Sequence, residues 1–303
     1  MVANRSSGGK TRPSRAGKSG SRRPARSAPP ARRRLRAPGA LNPSNRQQTK
    51  LPIARSPIGL SIRQTVSAIL LADGPGPLAA ITDQLARLPV GEILVVLEGA
   101  GNDSLQPLLH HPAGPILLSY PEPLGPGVAR SIAARAAEGE LLLFVGGASV
   151  IPAEELVPLL VQTAAGADMA LNDIGPRIGP FAEWEPEVNA QACLNRLLGR
   201  AELAANSLAV LPHAISRRVP EAAGYPALAI PPLAQALALR AGLRACAPAS
   251  IRLPAMSPVV RREKQQVALG DHIEAISTLM WQSGARLNYP DTLRKRHIGE
   301  AVP

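Results

Sequence analysis

Aromatic residues make up only 2% of this 303-residue sequence, although hydrophobic residues as a whole make up 45%. A folded core is therefore expected, and it must be built from Leu, Ile, Val and Ala. Cysteines are equally scarce: there are two, Cys193 and Cys246, and both lie in apolar helical contexts. A disulfide framework or a zinc site would need more partners at close spacing, so we expect two buried, reduced thiols.

Long apolar runs are also missing. No uninterrupted run reaches the roughly 18 residues that a membrane-spanning helix needs. The amino terminus is charged but lacks the apolar segment of a secretory signal. We therefore expect no transmembrane segment and a cytoplasmic location, either free or peripheral at an anionic surface.

Acidic residues are absent from the first 50 residues, which hold 14 of the 34 Lys and Arg residues. The remainder has 20 basic and 22 acidic residues, so the net charge of +12 belongs to this segment. Residues 1–62 are rich in Arg, Ser, Pro and Gly, which predicts a disordered tail. Its charge favours an anionic polymer or a membrane surface as partner. It has no aromatic residue for base stacking, so specific nucleic-acid recognition is not expected.

After the tail, short apolar runs alternate with segments of helical periodicity. Runs typical of buried strands occupy residues 65–71, 92–97, 116–119, 141–145 and 168–171. Helical segments lie between them, as in βαβ units, beginning with residues 78–88. The pattern predicts an α/β fold with a mostly parallel sheet flanked by helices.

Three regions are predicted from these patterns. They are the tail (1–62), an α/β domain (63–255) and a helical carboxyl-terminal extension (256–303). In the extension, a helix over about 267–282 is expected to pack on the domain through one apolar face, formed by Leu269, Ile273, Ile276 and Met280.

The centre of the domain is the stretch 124–152. It opens with a glycine-spaced turn, Gly125-Pro126-Gly127, where a backbone without side chains lets a ligand approach closely. A helix with Arg130 in its first turn follows, then Gly139-Glu140 and a buried strand. Open α/β sheets place their ligands at the loops that follow such strands.

This stretch resembles family-2 glycosyltransferases of the GT-A fold, in which a Gly-x-Gly-x-x-Arg helix, Gly-Glu and a strand ending in Asp-x-Asp follow one another. The resemblance extends over residues 65–250. It implies a GT-A-like, Rossmann-related domain and sugar transfer from a nucleotide sugar. Where the family has Asp-x-Asp, however, this sequence has Gly146, Gly147 and Ala148. It therefore resembles a degenerate member of the family.

The resemblance assigns nucleotide binding to five residues. Asp73 and Glu98 follow the first two strands, where the family holds the base and ribose, and both can accept hydrogen bonds. Gly125, Gly127 and Arg130 belong to the turn and helix that lie near the nucleotide in the family. The alternative is that Asp73 and Glu98 are ordinary loop acids and that Arg130 is a surface arginine.

The family's acidic residues are missing at two places. Without Asp-x-Asp, binding of Mn²⁺ or Mg²⁺ is not expected, because these ions need several oxygen ligands. Glu154 and Glu155 are interpreted as helix-start acids instead. The family's general base normally precedes an Arg-Ala-Gly turn, here Arg240-Ala241-Gly242, but the sequence at its place is Ile230-Pro231-Pro232.

Other residues invite a functional interpretation beside a structural one. His213 follows a predicted strand at 208–211 and is either a substitute base or a structural histidine. Phe181 and Trp184 either stack on a sugar or cover a sheet edge. On the last helix, Asp271 and Glu274 are three residues apart and His272 lies on a different face, which is not the geometry of a metal site, so we interpret the two acids as solvated.

Two functions from different classes follow. One is a glycosyltransferase that binds a nucleotide sugar through Asp73, Glu98 and Arg130 without the usual metal acids. The other is an inactive relative that acts as a binding or scaffold protein, tethered to polyanions by its tail. A third hypothesis, that the protein binds nucleic acid, rests on the tail alone.

Overall fold

The structure is a computed structural model that describes residues 58–74, 76–99, 102–254, 258–287 and 289. The predicted tail lies outside the described residues except for 58–62, so its disorder and its partners stay predictions. Ile58 and Ile62 pack against the core. The folded part therefore begins a few residues before the expected boundary at residue 63.

Within the described residues, seven strands form one mixed sheet in the order β3-β2-β1-β4-β6-β5-β7. Their bounds are β1 (Val66–Ala72), β2 (Glu92–Glu98), β3 (Ile116–Tyr120), β4 (Leu141–Gly146), β5 (Met169–Asn172), β6 (His213–Ser216) and β7 (Ala245–Ala249). Strands β1 to β4 are mutually parallel, and β6 runs antiparallel to both β4 and β5. The expected α/β class with a mostly parallel sheet is confirmed.

The part of the chain that the structure describes also contains eight α-helices. They are α1 (Leu78–Ala86), α2 (Asn102–Leu109), α3 (Val128–Ala136), α4 (Ala153–Ala164), α5 (Pro186–Leu197), α6 (Arg218–Ala223), α7 (Pro231–Arg240) and α8 (Pro258–Ser283). Among the described residues, none of the helices is both long enough and apolar enough to cross a membrane.

The central strands are buried on both faces, as their apolar sequences predict. In β1, Ala68 and Leu70 face the core layer that α1 and α4 cover, whereas Ile69 faces the layer of α3 and α7. Each strand therefore contributes side chains to two apolar layers. Helices cover both layers, which gives the three-layer architecture typical of α/β domains.

Three local expectations were wrong. The strand expected at 208–211 is a turn, and the strand lies at 213–216, where Phe144 of β4 pairs with His213. The packing face of α8 differs in part: Ile276 packs against buried residues as expected, but Ile273 and Met280 are 60% and 39% exposed, and His272, Ala275 and Leu279 are buried. The two cysteines are unpaired, as expected, but Cys193 is exposed and Cys246 only half-buried.

A buried carboxylate joins the three strands at the far edge of the sheet. Asp168, which directly precedes β5, is 3% exposed. Its Oδ1 accepts hydrogen bonds from the Ser216 hydroxyl at 3.0 Å and from Arg218 Nη1 at 2.9 Å, and its Oδ2 accepts the backbone N–H of Arg244 at 2.9 Å. One side chain therefore connects β5 with the end of β6 and with the segment before β7.

Replacing Asp168 by Ala should therefore destabilise the fold. The Ser216 hydroxyl and the Arg244 N–H would lose their acceptor, and we expect the free energy of unfolding to fall by about 2–4 kcal/mol. Denaturant titration followed by circular dichroism measures this. Glu122→Ala removes an exposed carboxylate as a matched control and should change stability by less than about 0.5 kcal/mol. Equal effects of the two substitutions would show that the buried network contributes nothing.

Candidate functional site

The candidate site lies at the carboxyl edge of the sheet, between β1 and β4. The chain leaves β1 towards β2 and β3 on one side and returns to β4 on the other, which makes this a topological switch point. Leu71 pairs with Gly146, and the N–H of Gly147 donates to the Leu71 carbonyl at 2.7 Å. The loop that begins with Asp73 and the Gly146–Ala148 segment are therefore neighbours.

Asp73 is largely exposed and already has a charged partner. Its Oδ2 accepts a hydrogen bond from Lys264 Nζ of α8 at 2.9 Å, and the two side chains are 67% and 53% exposed. The pair brings together residues that are 191 positions apart. Helix α8 therefore reaches the edge of the sheet where the resemblance places the nucleotide.

Arg130 is half-buried in the first turn of α3. Its Nη2 donates a long bond of 3.4 Å to the Ala209 carbonyl, and its Nε is buried without a partner among the described residues. Burial lowers the pKa of its guanidinium to about 10, against the opposing charges of Asp271 and Asp73. Arg130 is therefore a cation at neutral pH with an unused buried donor. The alternative of an ordinary solvated surface arginine does not describe this environment.

Helix α8 also brings a carboxylate to this region. Asp271 is half-buried, and burial first, then the charge of Glu274, raise the pKa of its carboxyl to about 6 against the opposing effect of Arg130. The expectation of a solvated acid is therefore wrong for Asp271, although Glu274 is exposed as expected. No sequence motif indicated that α8 would face this site.

Glu98 is engaged within the protein. It is half-buried at the end of β2, and its Oε2 accepts the backbone N–H of Leu124 at 2.8 Å. This bond holds the segment that leads into the glycine-spaced turn. Glu98 therefore anchors this loop through its Oε2.

The two glycines of the turn differ in their surroundings. Gly125 has a φ of +94°, and a Cβ added to it would meet nothing within 4 Å. Gly127 has a φ of +74°, and an added Cβ would lie 2.0 Å from the Ala229 carbonyl oxygen. The backbone of Ala229 therefore occupies the space beside Gly127, whereas the space beside Gly125 is open.

The Gly146–Ala148 segment is tightly packed at Gly147, which matches the variable position of the family's Asp-x-Asp. A Cβ at Gly147 would lie 3.0 Å from Leu78 Cδ2 and 3.1 Å from Ala72, and one at Gly146 would lie 3.4 Å from Leu211 Cδ1. Leu211 is held there because Asn172 Nδ2 donates to its carbonyl at 3.1 Å. Only Ala148 points to an exposed place.

The residues present do not fit a divalent cation. Within the described parts of the chain, no group of three or more His, Cys, Asp or Glu side chains is placed to hold a metal ion. Glu154 pairs with Arg87, and Glu155 is exposed in the first turn of α4, as expected for helix-start acids. Hard divalent ions need several oxygen ligands, which this edge of the sheet does not supply.

His213 and the expected base position are both buried. His213 is 2% exposed, donates from Nδ1 to the Val210 carbonyl at 3.0 Å and packs on Phe144 with ring centroids 5.2 Å apart. Burial, and then the charge of Arg130, lower its pKa to about 3, so the ring is neutral at neutral pH. Pro231 and Pro232 form the buried start of α7. These residues therefore present no carboxylate to a substrate.

Phe181 and Trp184 form an edge-to-face pair with ring centroids 5.2 Å apart. Phe181 is 73% exposed, and Trp184 Nε1 donates to the Gly179 carbonyl at 3.1 Å. Contact with a sugar stays a prediction. His272 is fully buried on α8 and donates from Nδ1 to the Ala268 carbonyl at 2.6 Å.

Comparison with solved structures identifies the fold. The glucosyl-3-phosphoglycerate synthase of Mycobacterium tuberculosis, solved with Mn²⁺, UDP and phosphoglyceric acid, is 20% identical over 76% of this chain and 81% of its own, with a TM-score of 0.53. The mannosyl-3-phosphoglycerate synthase of Rubrobacter xylanophilus is 15% identical over 78% and 80%, with a TM-score of 0.53. No protein-family model and no curated protein sequence matches this chain. The chain has a GT-A-like fold.

The contrast between the two glycines can be tested. Gly127→Ala and Gly125→Ala both place an alanine in the left-handed region, which costs about 1–2 kcal/mol. Only Gly127→Ala also adds a clash with the Ala229 carbonyl, which we expect to cost a further 1–3 kcal/mol, approximately. Chemical unfolding of both variants measures the difference. Equal destabilisation would contradict the packing described for Gly127.

Proposed function

We propose that this protein binds a nucleoside-diphosphate sugar at the carboxyl edge of its sheet. The observation that carries the proposal is Arg130, a half-buried cation whose Nε–H is buried without an acceptor in the described structure. Buried polar groups are normally paired, so such a donor indicates a ligand that completes it. Phosphate oxygens are strong acceptors for a guanidinium and form short, charge-assisted bonds.

The other residues of the site have roles that suit the remainder of such a ligand. Asp73 accepts hydrogen bonds from the base or the ribose through the oxygen that Lys264 does not occupy. Glu98 contributes its Oε1 at the end of the neighbouring strand. Gly125 leaves open space where a ligand passes close to the backbone. The solved relative with UDP supports this assignment only through the shared fold.

We propose further that metal-assisted transfer is lost and that the protein acts as a binding or scaffold protein. Metal-assisted transfer needs a divalent cation on the leaving diphosphate, and Gly146, Gly147 and Ala148 supply no ligand for one. The position of the family's base is occupied by the buried prolines of α7. In this proposal the basic tail tethers the protein to an anionic polymer or surface by salt-sensitive attraction.

Sugar transfer without a metal is the second candidate. It is favoured by Asp271, whose half-buried carboxyl has a pKa raised to about 6 and is therefore suited to proton transfer near neutral pH. A phosphorylated hydroxy acid is a candidate acceptor, since the solved relative contains phosphoglyceric acid. Release of UDP from UDP-glucose in the presence of such acceptors would decide for this candidate.

Calorimetric titration of the full chain with UDP, GDP, dTDP and their sugar conjugates tests nucleotide binding. We expect saturable binding of one nucleotide, with the same affinity in Mn²⁺ and in EDTA. Arg130→Met should weaken it about tenfold or more, since a charge-assisted hydrogen bond contributes about 1.5–3 kcal/mol.

Arg196→Met is the matched control, because it removes an exposed arginine on α5 and leaves the basic tail unchanged. Its affinity should equal that of the unmodified protein. Absence of binding to every nucleotide, or equal losses in both variants, would contradict the proposed function.

A further inference from the structure

Helix α8 contributes two charged side chains to the candidate site, and no sequence motif assigned either of them. Lys264 contacts the carboxylate of Asp73 at 2.9 Å, and Asp271 interacts through its charge with Arg130. Arg130 also interacts through its charge with Asp73. Cations from α3 and α8 therefore act on the same carboxylate at the end of β1.

The positive charges at this edge of the sheet indicate a function for α8. The diphosphate of a nucleotide sugar carries two negative charges, which related enzymes offset with a doubly charged ion such as Mn²⁺. The described residues of this protein do not fit such an ion. Two single positive charges, Arg130 and Lys264, both act on the carboxylate of Asp73 at this edge.

We propose that Lys264 and Arg130 together bind the diphosphate in place of a divalent cation, so that α8 forms one wall of the nucleotide site. The inference rests on the proposed nucleotide binding and adds a side chain of α8 to the residues that the resemblance assigned. Arg130 provides its unused buried Nε–H, and Lys264 provides an ammonium group with three donors.

Lys264 is free to change partners at small cost. Its contact with Asp73 is an ion pair between two side chains that are each more than half exposed, and such pairs contribute little to stability. An arriving diphosphate can therefore take over the ammonium group. Asp73 holds Lys264 near the site in the absence of ligand and is released for the base or ribose when the ligand binds.

The carboxylate of Asp271 interacts through its charge with the guanidinium of Arg130. A diphosphate bound to the same guanidinium would therefore be repelled by Asp271. The charged groups that act on it are Glu274 of its own helix and Arg130 of α3. Its pKa is raised to about 6, so the carboxyl takes up a proton when the pH falls below that value and the repulsion disappears. His213 stays neutral throughout this range. Affinity for the ligand therefore rises as the pH falls through about 6.

The test is titration of the full chain with UDP-glucose in EDTA, because both phosphates of this ligand keep their charge over the range used. Lys264→Met should weaken binding about tenfold, and Lys264→Arg should restore most of it. Arg262→Met removes another exposed cation of α8 and should change the affinity less than about twofold, because it lies on a different face of the helix.

Asp271→Asn provides a second, independent arm. It should strengthen binding about three- to tenfold at about pH 7.5 and abolish the increase in affinity that the unmodified protein shows at about pH 5.5. Circular dichroism of each variant verifies that the fold is retained.

The outcomes separate this inference from the proposed function. If the protein binds UDP-glucose and Arg130→Met weakens it, but Lys264→Met and Arg262→Met behave alike, the inference is overturned and nucleotide binding stands. If binding requires Mn²⁺, the inference is likewise overturned. If no nucleotide binds, both fail together.

Discussion

The guanidinium of Arg130 carries its positive charge at a place where its Nε–H is buried and, among the described residues, has no acceptor. Burying a charged donor costs free energy unless other charges compensate it. Asp73 and Asp271 supply part of that compensation from the end of β1 and from α8. Their own positions are consequences of the sheet topology, which brings the end of β1 next to α3, and of the long helix that passes the same edge. In the proposed function, an anion bound at Arg130 completes this arrangement.

The missing acidic residues are part of the packing of this edge. Leu211 fills the space beyond Gly146, Gly147 lies against Ala72 and Leu78, and the prolines at the start of α7 are buried. A side chain at position 147 would therefore require Leu78 or Ala72 to move, whereas a side chain at position 146 would meet only the end of Leu211 and position 148 is exposed. In the proposed function, positive charge at this edge is supplied by side chains rather than by a bound ion.

Much of the fold could be predicted because the signals are local. The all-apolar run at 141–145 is buried on both faces of the sheet, and the glycine-spaced turn leads into α3 as expected. The strand at 213–216 was missed because it contains His213, whose burial depends on packing against Phe144 rather than on its own polarity. The exposure of Cys193 was missed because α5 is covered on one face only.

The candidate site was predictable only in part. The resemblance alone pointed to Asp73, Glu98 and Arg130. The hydrogen bond that Glu98 accepts from the Leu124 N–H depends on a loop conformation, which the sequence does not indicate. Lys264 and Asp271 lie far along the chain from Asp73 and Arg130, and their approach is a result of how α8 packs. The helical periodicity of the sequence had predicted Ile273 and Met280 on the packing face of α8, but both are exposed. Contacts of this kind have no signature in sequence spacing.

The most direct measurement is a crystal structure of the full chain grown with UDP-glucose and Mn²⁺, with anomalous scattering recorded for manganese. The account predicts a diphosphate within hydrogen-bonding distance of Arg130 and Lys264 and no anomalous peak beside it. A manganese peak that bridges the diphosphate to the protein would contradict the account, because the positive charge would then come from a metal ion.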